Sequence, residues 1–190
     1  MKKQPWSREE VPYVRVEPFP VRLKKSATEH GFKGCVMFLL SKIRDLINFY
    51  LHLMAQFAPH NGIRVLIYRV RGVTIGKNVI IGPNVSIDNF YPKLVTISDG
   101  AVLSGSNLIL AHSSPPEHFK GVVESFVAPV TVQKNAWIGM AAIILPGVTI
   151  GEGSIVSAAS LVTRNVPPNC LVAGNPARRI KVLKADESSV

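Results

Sequence analysis

Cysteine is nearly absent from this chain of 190 residues, which holds only Cys35 and Cys170. Two thiols cannot build a disulfide framework or a four-thiolate zinc site, so a reducing, cytoplasmic setting is the expectation. Aromatic residues are also scarce, at 7%, and charged residues reach only 18%. The low charge argues against a wholly disordered chain, and the 47% hydrophobic content, mostly aliphatic, is ample for a core. The first 34 residues carry charges and prolines throughout and lack the apolar centre of a secretory signal. Acidic residues are few, 12 against 22 Lys and Arg, for a net charge of +10. The imbalance sits at one end: residues 1–72 hold 13 basic and 5 acidic side chains, residues 73–190 hold 9 and 7. A nucleic-acid reader would interleave its cations with stacking aromatics, and this segment does not, so no nucleic-acid partner is expected. A solvated basic arm and a contact with an anionic surface both remain open.

Residues 1–33 read as an extended lead-in, because Pro5, Pro12, Pro18 and Pro20 block long helices. Residues 34–58 then repeat apolar side chains at helical spacing, from Val36 through Leu39, Ile43, Leu46 and Tyr50 to Met54. Lys42, Arg44, Asp45 and Asn48 interrupt this run too centrally for a bilayer span. The spacing predicts an amphipathic helix ending at Pro59, either packed on the body of the protein or lying on a membrane surface as a peripheral contact at its inner face. A second short helix is expected over residues 63–71.

From Val73 onward aliphatic residues return every six positions. They fall in four groups of three: Ile75, Ile81, Ile87; Ile97, Leu103, Ile109; Val132, Ile138, Ile144; and Ile150, Val156, Val162. Strand side chains alternate with period two, so six residues restore the same face, whereas a helix of 3.6 residues per turn would scatter them. Gly-Lys-Asn-Val at 76–79 and Gly-Pro-Asn-Val at 82–85 supply the bends. Three bends per circuit predict a mainly β fold, a triangular coil of about four stacked turns spaced roughly 4.8 Å apart.

Residues 130–180, VTVQKNAWIGMAAIILPGVTIGEGSIVSAASLVTRNVPPNCLVAGNPARRI, resemble the C-terminal half of the galactoside, maltose and polysaccharide O-acetyltransferases of the hexapeptide-repeat family. The resemblance spans residues 73–183 and implies a left-handed parallel β-helix. It leaves residues 1–72 as an N-terminal arm with helices and 184–190 as a tail. It also implies acetyl-CoA as acyl donor with no metal, and a homotrimer with its clefts between subunits. The implied acceptor is a sugar or polysaccharide-precursor hydroxyl.

The repeat breaks twice. Four extra residues enter around Asn89–Pro92, and about 17 leave the coil near 113–129, directly after His112. Long excursions from a regular solenoid are commonly functional. Acyl transfer to a hydroxyl needs a general base, and a histidine suits that role near neutral pH. The resemblance places the base at His112. Glu117, Glu124 and Asp88 are candidates to orient it, and the sequence does not choose among them. A backbone N–H near Gly139 is a candidate oxyanion donor. Gly139, Ala141, Ala158 and Ala159 are small enough to line a pantetheine arm, Trp137, Thr163 and Arg164 match donor-cleft positions in the family, and Arg178 suits the donor phosphates. Met140 departs from the serine often found there in relatives. Asn84, Asp88 and Glu117 are the candidate acceptor contacts. Cys170 is expected only to pack.

Two other readings compete. A γ-type carbonic anhydrase would need three imidazoles at a metal. His112 and His118 could offer two, but His30, His52 and His60 all precede the coils. A non-catalytic assembly module would use the prism alone, with the helix as anchor.

Overall fold

The computed structural model describes residues 14–15, 31–119, 122 and 124–183. Most of the expected lead-in and the tail 184–190 lie outside the described residues. Helix α1, Gly31–Phe57, begins three residues before the expected start, and α2, Asn61–Val70, follows after the break at Pro59. A two-residue strand β1, Val14–Arg15, precedes both.

The hexads fold as short strands on three walls. The first wall stacks β2 (Thr74–Ile75), β5 (Val95–Ile97), β10 (Val130–Val132) and β13 (Thr149–Ile150). The second stacks β3 (Ile80–Ile81), β6 (Val102–Leu103), β11 (Trp137–Ile138) and β14 (Ile155–Val156). The third stacks β4 (Ser86–Ile87), β7 (Leu108–Ile109), β12 (Ile143–Ile144) and β15 (Leu161–Val162). Every pairing within these sets is parallel and in register. All twelve aliphatic anchors are buried, and Val79, Val85, Ala101, Ala136, Ala142 and Val148 fill the corners between them.

The corners explain where insertions are tolerated. Left-handed residues stack along the edge between the first and second walls (Asn78, Gly100, Asn135, Gly153), and between the second and third (Asn84, Ser106, Ala141, Ala159). Only Gly147 adopts that conformation on the described edge from the third wall back to the first. This edge receives both excursions: the bulge after Asp88, and a hairpin of β8 (His112–Ser113) and β9 (Phe126–Val127). Strand β1 adds to the outer side of β9, Val14 opposite Val127.

An open stack ends in unpaired strand groups, which need cover. At the first coil the polar side chains of α2 and of Arg71, the residue that caps it, provide that cover on all three walls. Arg69 donates to the carbonyls of Ile75 and Gly76, Arg64 to that of Ile81, and Arg71 to those of Ile87 and Asp88. The Tyr68 hydroxyl donates to the Val85 carbonyl, and the Asn61 amide oxygen accepts from Ile81 N–H. Three cations of the basic N-terminal segment are thus spent on capping. At the far end β16 (Cys170–Gly174) continues the second wall and turns back antiparallel as β17 (Ala177–Val182), burying Cys170.

Candidate active site

The insertion-bearing edge gathers the titratable groups. Asp88 follows β4, and in the next coil His112 follows β7, so the two side chains stack where both excursions leave the prism. The Asp88 carboxylate is buried and accepts four donors. Its Oδ1 takes the N–H groups of Phe90 (2.9 Å) and Tyr91 (2.8 Å), and its Oδ2 takes Ala111 N–H (2.7 Å) and His112 Nδ1 (2.5 Å). Burial alone would raise its pKa. The His112 hydrogen bond, with those from the Tyr91 and Ala111 amides, outweighs burial and holds the carboxyl below its ordinary range. An ionised carboxylate can only accept, so Nδ1 is the donor of this bond, and in the neutral form of the ring the lone pair falls on Nε2. Phe90 and Tyr91 flank the imidazole at centroid distances of 5.4 and 5.5 Å, and the ring retains 18% exposure.

Of the three acids considered for His112, Asp88 is the one in hydrogen-bond contact with it. Asp88 was a candidate acceptor contact, but its carboxylate has no exposed surface and all four lone-pair directions are taken. Glu124 is exposed, and the side chain of Glu117, in the short 3-10 turn Glu117–Phe119, lies outside the described residues. His112 is the first residue of the hairpin rather than the last of the coil.

A support behind the pair was not legible in the sequence. Arg71, 5% exposed, also donates from Nη2 to Asn89 Oδ1 (3.3 Å) and from Nε to Asn48 Oδ1 (2.9 Å). Asn48, on the prism-facing side of α1, returns a bond to the Asn89 carbonyl at 2.5 Å. Residues 87–89 are therefore clamped from below, and with them the turn that carries Asp88, Phe90 and Tyr91. A cation just past the end of a helix gives no periodic signal that would announce this role.

The remaining candidates divide between two edges. Thr163 and Arg164 follow β15 on the same edge as His112, two coils farther on, about 10 Å at strand spacing. They line a shallow depression with Val162, Val172, Ala177 and Arg178. Gly139, Ala141, Ala158, Ala159 and Asn84 lie instead along the edge between the second and third walls, and Trp137 stands in β11 of the second wall beside it. There the Trp137 indole donates to Ser104 Oγ (2.8 Å), and the Asn84 side chain meets Ser106 Oγ (3.4 Å). The width of the third wall separates this set from His112 within one chain.

Gly139 has a structural duty in addition. A Cβ there would sit 2.5 Å from Ala158 N and 2.7 Å from the Val156 carbonyl oxygen. Its own N–H donates to the Val156 carbonyl, so it cannot serve an oxyanion. The buried Asn107 holds this corner, donating to the Gly139 carbonyl at 2.7 Å. Among the described residues no three His, Cys, Asp or Glu side chains cluster as a metal site would require.

The bacterial transferase hexapeptide (six repeats) family matches residues 129–164, and the hexapeptide repeat of succinyl-transferase matches residues 62–89. The galactoside O-acetyltransferase of Escherichia coli is 40% identical over 57% of this chain and 53% of its own length. YvoF of Bacillus subtilis, an inferred acetyltransferase, is 30% identical over 70% of this chain and 74% of its own. A hexapeptide-repeat acetyltransferase of Vibrio cholerae, solved with acetyl-CoA, superposes with a TM-score of 0.61 at 26% identity, over 73% of this chain and 86% of the other. These neighbours share the left-handed parallel β-helix. The chain spans about half the length of several of the curated relatives it matches.

Proposed function

We propose, for a chain that belongs to the bacterial hexapeptide-repeat transferase family, that it transfers an acetyl group from acetyl-CoA to a hydroxyl of a sugar or polysaccharide precursor. The observation that carries this reading is the buried Asp88 carboxylate fixed on Nδ1 of His112, where the hairpin leaves the coil. Nε2 takes the proton of the acceptor hydroxyl as its oxygen attacks the thioester carbonyl. Collapse of the tetrahedral intermediate expels the CoA thiolate, which the imidazolium protonates. Asp88 stabilises the imidazolium and keeps the ring in the productive tautomer.

The two-edged arrangement supports a homotrimer. Thr163 and Arg164 share a depression with Arg178, while Ala141, Ala158 and Ala159 lie on the other edge beside Trp137 of β11. A cleft between neighbouring prisms would bring one edge of each together around a single donor. Arg178 would meet the phosphates, the alanines would flank the pantetheine arm, and Asn84 and Glu117 would contact the acceptor. The neighbour solved with acetyl-CoA supports the donor class, and relatives named as galactoside and colanic acid biosynthesis acetyltransferases support the acceptor class. Cytoplasmic location with peripheral membrane contact through residues 34–58 belongs to the same reading.

The test is a thiol-release assay with acetyl-CoA and the full chain against a panel of sugars, nucleotide sugars and glycan lipids. Release that depends on one glycan class supports the reading. Release with no member of the panel above the uncatalysed rate defeats it.

A further inference from the structure

Helix α1 sits on the prism by its polar side. Ser41, Asp45, Asn48, His52 and Ala55 recur at helical spacing on the face toward the coils, where Asn48 and His52 meet Asn89 and Ser86. The opposite face is apolar and bare. Val36, Leu39, Ile43, Leu46, Tyr50 and Phe57 follow one another at intervals of three, four and seven, and Leu40, Ile47 and Met54 widen the stripe. Leu39, Leu46, Tyr50 and Phe57 are 61%, 55%, 58% and 76% exposed. On α2, Ile63, Leu66 and Val70 are exposed as well. A stripe three heptads long exceeds the few hundred Å² of contiguous apolar surface that soluble monomers ordinarily show.

We propose that this face of α1 docks on the surface of an anionic lipid bilayer. This gives structural detail to the peripheral contact named above and does not depend on the transfer chemistry. Charge complementarity selects the occupant. With Arg64, Arg69 and Arg71 committed to capping, residues 1–57 still hold ten basic side chains against five acidic ones. On α1 the single acid, Asp45, is half-buried on the prism side beside Arg44 (3.5 Å). No carboxylate stands on the exposed stripe to repel lipid phosphate. A second copy of the helix fits less well. A coiled-coil seam fixes its partner through opposite charges beside the apolar positions, and here those flanks are Leu40, Ile47 and Met54 on one side and Lys42, Phe49 and Gln56 on the other. Among the described residues no helix is long and apolar enough to cross a membrane, so the helix lies in the interface with its apolar side chains inserted.

The experiment is flotation of the full chain with vesicles of phosphatidylcholine containing about one quarter phosphatidylglycerol, and with phosphatidylcholine alone. A Leu39→Glu, Leu46→Glu variant is run beside it. Both positions point away from the prism, and size-exclusion chromatography with far-ultraviolet circular dichroism verifies that the variant keeps its fold. The wild type is expected to float with anionic vesicles and to dissociate as salt rises. The variant should bind them at least about tenfold more weakly at unchanged oligomeric state. Wild type that fails to float, or that binds neutral vesicles equally, overturns the proposal. A variant with a smaller oligomer also overturns it, because the stripe then joins copies of the chain. Thiol release, measured with a soluble acceptor, is independent of these outcomes.

Discussion

Replacing Asp88 with Asn keeps the shape of the side chain and exchanges one acceptor oxygen for a donor, which exposes the logic of the pair. The carboxylate serves two donors on each oxygen. If the new NH2 faces Phe90 and Tyr91, two backbone N–H groups lose their acceptor at a cost of about 1–3 kcal/mol each. If it faces Ala111 and His112, only the Ala111 N–H is orphaned, because the imidazole can move its proton to Nε2 and accept on Nδ1. The second orientation is therefore cheaper, and it produces the wrong tautomer for a base at Nε2. Asp88→Asn should lose about 1–3 kcal/mol of stability by urea unfolding. In thiol release with saturating acetyl-CoA, kcat should fall by about 10²–10⁴-fold, the range associated with a general base. The KM for acetyl-CoA should change little, since the partners of the Asp88 carboxylate are Phe90, Tyr91, Ala111 and His112 and include none of the candidate donor contacts. A folded variant retaining more than half of wild-type kcat would refute the reasoning.

The Arg71 clamp predicts that Arg71→Met costs about 3 kcal/mol or more, since it strips charged donors from the carbonyls of Ile87 and Asp88. It should also lower kcat more than the KM for donor, with partial recovery in Arg71→Lys, as steady-state kinetics and urea unfolding would show. His52 is buried, with Nδ1 lacking a partner among the described residues, and its pKa is lowered from 6.5 to about 4 by burial first and then by the Arg71 charge. The unfolded chain binds a proton on His52 between these values and the folded chain does not. Stability is therefore full above pH 6.5 and falls by about 3 kcal/mol as pH drops toward 4. In His52→Leu, pH-dependent urea unfolding should show this part of the decline removed. The Asp88 contribution, lost only at pH below the ordinary carboxylate range, should persist.

Periodic features were legible in the sequence and contacts between non-periodic segments were not. The hexad anchors from Ile75 to Val162 announce both the coil and its core, because a buried strand face must recur at fixed spacing. The stride breaks at Asn89–Pro92 and after His112 mark the edge that holds the candidate site. The choice of Asp88 over Glu117 and Glu124 depends on stacking one coil on the next, which places residues 24 apart in sequence side by side. The cap formed by Asn61, Arg64, Tyr68, Arg69 and Arg71 lies in and just after a helix whose composition looks merely basic. The apolar spacing of α1 identifies a helix, but only the fold shows that its polar side meets the prism.

The central claim is that the His112 imidazole removes the acceptor proton. Its most direct test is His112→Ala, assayed by thiol release with the glycan acceptor while acetyl-CoA binding is followed by calorimetry. Donor affinity should be kept and turnover should fall by about 10²–10⁴-fold. Turnover within a factor of about three of wild type, with the donor still bound, would contradict the claim.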